Sequence, residues 1–254
     1  MKRCFFLCVG LLVLLLAGCS SSGIKDEYAH YRNKTSAEIY AQAKVDLDKK
    51  RYAKAAEELD ALDAIYPFGP NSKQAQLDLI YANYQNGDLT SALTAAERYI
   101  RLYPGNQYTD YAYYMKGCIQ FSQGLNWLQK KFRTNPANGN LDDKKEAFGT
   151  FETLIQLYPN SVYVKDAQQR MRYLRNVFAD KELLVADFYY QQKAYVAAAN
   201  RASEVVKHYD GTTSVKPALV LLVKSYRQLN LTTQANNTLK ILQANYPDAM
   251  SQLS

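Results

Sequence analysis

Cysteine is scarce in this chain and placed where it cannot cross-link a fold: Cys4, Cys8 and Cys19 crowd the start, leaving Cys118 with no partner further on. A disulfide framework is thereby excluded, and the fold must rest on its core. Histidine is scarcer still, with His30 and His208 far apart in the sequence. No HExxH, glycine-rich phosphate loop, GxSxG or CxxC pattern occurs, so the usual metal, phosphate and acyl-transfer constellations are missing. The acids that pair up, Glu57 with Glu58 and Asp60 with Asp63, fall at helical spacing and read as a wet helix face rather than a general acid and base. An enzyme is not indicated, and neither a cofactor nor a metal is called for. Charge of one sign is lacking too: the formal net charge is +7, and lysine and arginine are interleaved with acids along the chain. That pattern suits a solvated helical surface and not a nucleic-acid groove.

What is abundant is tyrosine, 22 residues, and part of it is periodic. The stretch 65–104 opens and closes on an apolar-Tyr-Pro mark and holds two segments of helical periodicity, 74–85 and 90–102, parted by Asn86-Gly87-Asp88. The same unit recurs. An alanine stands 12 residues before Pro67, Pro104, Pro159 and Pro247, and before Asp210, which takes the proline's place in the fourth copy. From Ala55, Ala92, Ala147, Ala198 and Ala235 the chain steps four residues to Leu59, Ala96, Phe151, Ala202 and Leu239. Three more lead to Leu62, Tyr99, Leu154, Val205 and Leu242, and four more to the tyrosines 66, 103, 158, 209 and 246. A spacing of 4, 3 and 4 puts these positions on one helical face. The first helices align as well, through Tyr40 and Ala43, Leu77 and Ile80, Leu183 and Ala186, Val220 and Val223. The expected fold is all-α: a tetratricopeptide-like solenoid of five helical hairpins, with small residues at the helix crossing and proline closing each unit.

The N-terminus reads as a processed segment. Lys2 and Arg3 precede an apolar run of about 13 residues, too short to span a bilayer, that ends in Leu16-Ala17-Gly18-Cys19. This ending resembles the bacterial lipobox, which implies residues 1–18 as a signal peptide, Cys19 as the lipidated first residue of the mature chain, and Ser20 after it favouring the periplasmic face of the outer membrane. Residues 19–35 then read as a lipidated tether, 36–160 as the N-terminal repeats one to three, and 161–254 as a linking helix with repeats four and five. Helix one is expected to begin near Ser36, itself the N-cap. Repeat three carries an insertion in which Leu125, Trp127, Leu128 and Phe132 either fold back on the body or form an exposed patch. An additional helix over about 163–178 is expected before repeat four.

The segments YPFGP from Tyr66 and QLDLIYA from Gln76, taken with the lipobox, the repeats and the segment from Val196 to Arg201, resemble the BamD family of tetratricopeptide lipoproteins of the outer-membrane β-barrel assembly machinery. The resemblance spans the mature chain. It implies a scaffold that binds the periplasmic POTRA region of the barrel subunit BamA through its C-terminal repeats, holds other lipoproteins of the complex, and receives unfolded outer-membrane proteins. It places Asn200 and Arg201 on the segment facing BamA, unless they are simply a solvated helix side. A periplasmic repeat lipoprotein serving as adaptor for cell-wall enzymes is the other reading, and such an adaptor should lack YPFGP and QLDLIYA. For the client, the first helices of repeats two and three offer Tyr81, Tyr84, Tyr111, Tyr113 and Tyr114. Residues 111, 113 and 114 cannot all point one way, so some rings either line a groove or pack between neighbouring repeats.

Overall fold

The computed structural model describes residues 26–123 and 135–253, and among them every regular element is helical. Five hairpins follow in order: α1 (Ser36–Asp48) with α2 (Tyr52–Ile65), α3 (Ser72–Asn86) with α4 (Leu89–Leu102), α5 (Thr109–Ser122) with α6 (Asp142–Leu157), α7 (Val164–Gln191) with α8 (Tyr195–His208), and α9 (Val215–Gln228) with α10 (Thr232–Asn245). Each helix packs on the next along the whole series, and first helices also meet across hairpins, α3 on α5 and α7 on α9. That double contact is what makes a solenoid of the hairpins. A 3-10 segment, Pro247–Leu253, closes the C-terminal end against α9 and α10 and buries Ala249.

The repeated columns are the core. Ala55, Ala92, Ala147, Ala198 and Ala235 are buried, as are Leu62, Tyr99, Leu154, Val205 and Leu242; of the column between them only Leu239 is partly exposed. Each closing tyrosine, 66, 103, 158, 209 and 246, leaves its helix with φ between −142° and −123° and donates its N–H to the carbonyl four residues back. Asp210 does not disturb the fourth turn, because Arg175 donates to its Oδ1 at 2.9 Å.

Local signals position the ends. The cap of α1 is Thr35, one residue earlier than the sequence suggested, because a capping box forms: Thr35 accepts from the Glu38 N–H while the Glu38 carboxylate accepts from the Thr35 N–H at 2.7 Å. Asp88 caps α4 by accepting from the Ser91 N–H at 3.0 Å. Two larger differences appear. Residues 26–35, read as tether, are partly folded onto repeat one: Tyr31 is 4% exposed, Tyr31 Oη donates to Glu57 at 3.2 Å, and Tyr66 Oη donates to the Lys34 carbonyl at 2.8 Å. And the linking helix is not separate, since 28 residues run unbroken through α7 and serve repeat three with one half and repeat four with the other. No helix-stopping residue stands between Phe178 and Leu183, where Ala-Asp-Lys-Glu simply continues the turn.

Candidate interaction surfaces

Helix α8 presents Asn200 and Arg201 to solvent. Arg201 is half-exposed, with 48% of its side chain accessible, and its Nη1 donates to Glu182 Oε2 on α7 at 3.1 Å. This single contact turns the guanidinium toward α7 and leaves its remaining donors to solvent. Arg201 stands on a crest. On one side lies a cleft of about 600 Å³ walled by Leu141, Phe178, Val185 and Tyr209 with Lys145 and Lys181; on the other is a shallower depression bounded by Tyr189, Ala197, Asn200 and Glu204. Asn200 also borders an apolar dip formed with Tyr195, Val196 and Leu229, where Val196 is 59% exposed. Polar groups and exposed apolar surface thus lie side by side on this face.

The five candidate client-binding tyrosines are spread rather than gathered. Tyr111 and Tyr114, three apart on α5, both turn toward Tyr163 at the start of α7, with ring centroids at 5.7 and 4.6 Å. Tyr114 Oη donates to Asp166 at 2.9 Å, and Arg170 reaches the same carboxylate at 2.5 Å. Burial, first of all, pushes the Tyr111 and Tyr114 hydroxyls far above the ordinary phenol range. Tyr113 leaves on another side and meets Tyr158 at 5.9 Å. Tyr84 shares a hydrogen bond of 3.3 Å with Ser122 of α5. Tyr81 packs edge-on against Tyr52 and is the most exposed of the five, at 37%. The divergence of 111, 113 and 114 is as the helical period demands, but the extra rings are taken up by α7, whose Tyr163, Asp166 and Arg170 sequence reasoning did not connect to them. No local signal could have done so, since the partners lie about 50 residues on.

Cys19, Leu125, Trp127, Leu128 and Phe132 lie outside the described residues. Among the described residues no group of three His, Cys, Asp or Glu side chains could hold a metal ion, and no helix is long and apolar enough to cross a membrane. Stacked helical hairpins of this kind define the helical-repeat class of solenoid proteins. The chain belongs to the YfiO family, described as outer membrane lipoprotein, whose profile matches residues 32–242. It is 39% identical over 239 residues to the outer membrane protein assembly factor BamD of Vibrio cholerae, covering 93% of this chain and 96% of that one. The proteins of that name from Pasteurella multocida and Neisseria gonorrhoeae are 35% and 33% identical, covering 94% and 93% of this chain and 90% and 89% of theirs. The adaptor reading for cell-wall enzymes is not favoured by these relatives.

Proposed function

We propose that this chain is a lipid-anchored scaffold of the β-barrel assembly machinery at the periplasmic face of the outer membrane. It is held by a lipidated Cys19, docks the POTRA region of BamA on α8, holds other lipoproteins of the complex, and receives unfolded outer-membrane proteins on its N-terminal repeats. The observation that carries this is the near full-length similarity to proteins named outer membrane protein assembly factor. The crest at Asn200 and Arg201 supports the docking assignment, because a guanidinium oriented by Glu182 can be shared with a carboxylate of the partner. Glu182 already satisfies part of the charge, so the partner exchanges one ion pair for another. Arg201→Glu should therefore weaken association by about 2 kcal/mol, the low end for losing an interfacial charge pair. The check is co-purification after mild detergent extraction. A POTRA-bearing barrel subunit should accompany the wild type and be depleted with Arg201→Glu at equal expression; recovery of a cell-wall synthase or hydrolase in its place would reject the function.

A further inference from the structure

The turns that join one hairpin to the next share an edge with the start of the folded chain. Tyr66, at the first closing turn, donates to the Lys34 carbonyl, and Gly69 lies beside Ser36. Lys73, just past that turn, sits over the Tyr103 ring of the second at 5.4 Å. Tyr158 of the third turn donates to the Pro104 carbonyl of the second at 3.2 Å, and Ser161 to Asp110 at 2.6 Å. Lys34, Ser36 and three successive turns therefore form one continuous rim. Each of those turns exposes a large apolar side chain: Phe68 at 88%, Tyr108 at 48% and Val162 at 83%. One such residue on a surface is ordinary. Three on successive, linked turns depart from scattered single exposure.

The fourth turn breaks the pattern in both composition and place. Its residues are Asp210, Gly211, Thr212, Thr213 and Ser214, without a large apolar side chain. It is held by Arg175 and Asn176, about a dozen residues into α7, so at 1.5 Å per residue it is set back from the rim by roughly 18 Å. Among these four hairpin-joining turns, a large exposed apolar side chain occurs in the first three and not in the fourth.

We infer that this rim, with Phe68 as its most protruding group, rests in the headgroup region of the bilayer that anchors the chain. The inference rests on the reading of Cys19 as lipidated. Asp26 is seven positions beyond Cys19, a reach of at most about 25 Å when fully extended, and the folded chain that begins there meets the first closing turn at Lys34, so this edge is held within reach of the lipid. The side chains suit an interface. Aromatic rings with apolar neighbours sit at the headgroup level, and the exposed Lys34, Lys73 and Lys165 lie where they meet anionic headgroups. Of the acids at this edge, Glu38 is engaged by Thr35 and Asp110 by Ser161.

The full-length lipidated chain, placed on vesicles of phosphatidylethanolamine and phosphatidylglycerol with brominated acyl chains, tests this. Trp127 is replaced by Phe, and a single tryptophan is put at Phe68→Trp or, as control, at Asn86→Trp, at the far end of α3 some 22 Å from the rim. Both proteins should float with the vesicles. The emission of Phe68→Trp should shift to the blue and be quenched by bromine, while that of Asn86→Trp should not change. Flotation with unquenched Phe68→Trp would overturn the contact while keeping the anchor, and would leave the rim to a protein partner. Failure to float, with Cys19 unmodified by mass, would remove the anchor and the contact that rests on it.

Discussion

At the scale of single residues, the column that holds alanine in repeats two and four holds Phe151 in repeat three, and a ring in place of a methyl must be accommodated from the other side. Gly117 on α5 does this: a Cβ added there would stand 2.4 Å from Phe151 Cε1 and 2.7 Å from Cδ1. Glycine inside a helix ordinarily costs about 1 kcal/mol relative to alanine. Here overpacking of about 1 to 3 kcal/mol outweighs that gain, so Gly117→Ala should lower the thermal midpoint, and Gly117→Ala with Phe151→Leu should recover it. A rise in the midpoint for the single variant would mean that the ring moves aside without cost. The 4, 3, 4 spacing made the buried column legible in the sequence, yet not this exchange, because the compensating residue is on the facing helix and no period links the two.

At the scale of elements, the turns inside the first, second, fourth and fifth hairpins share one design. Lys50, Gly87, Lys193 and Asn230 all have φ between 57° and 83°, and the next residue donates its N–H to the carbonyl five positions back, as in Arg51 to Asp46 and Ala194 to Tyr189. This is the left-handed helix ending that glycine serves best. Gly87 was visible in the sequence as a turn for that reason, whereas Lys50 and Lys193 gave no such signal. A lysine in this conformation carries about 1 to 2 kcal/mol of strain, offset in part by the freedom glycine has when unfolded. Lys193→Gly should accordingly stabilise the protein by about 1 kcal/mol in chemical denaturation. A lower midpoint would show that the lysine side chain contributes more than its backbone costs. The continuity of α7 was hidden for a different reason: repeat arithmetic suggested a boundary near residue 180, while the residues themselves contain no helix breaker.

At the scale of the whole molecule, the fold was legible because a solenoid writes its core once per repeat, so five weak patterns reinforce one another. Contacts between repeats are written nowhere in that period, which is why the roles of the N-terminal tyrosines could not be separated before Tyr163, Asp166 and Arg170 were seen beside them. The separation makes the client proposal sharper. Tyr114, stacked on Tyr163 and hydrogen-bonded to Asp166, joins the two halves of the solenoid; Tyr114→Ala should cost about 3 to 5 kcal/mol of stability, as for other large-to-small core changes of an aromatic residue. Tyr81 is on the first helix of repeat two, 37% exposed as a residue, and offers a flat apolar body with a polar tip, suited to extended segments that end in an aromatic residue. In the full chain, a fluorescent peptide copying the final strand of a barrel protein should lose affinity with Tyr81→Ala at an unchanged thermal midpoint. It should lose affinity equally when its own terminal aromatic becomes alanine. Affinity that tracks the stability loss of Tyr114→Ala and ignores Tyr81→Ala would mean that these rings hold repeats together and that the client is received elsewhere.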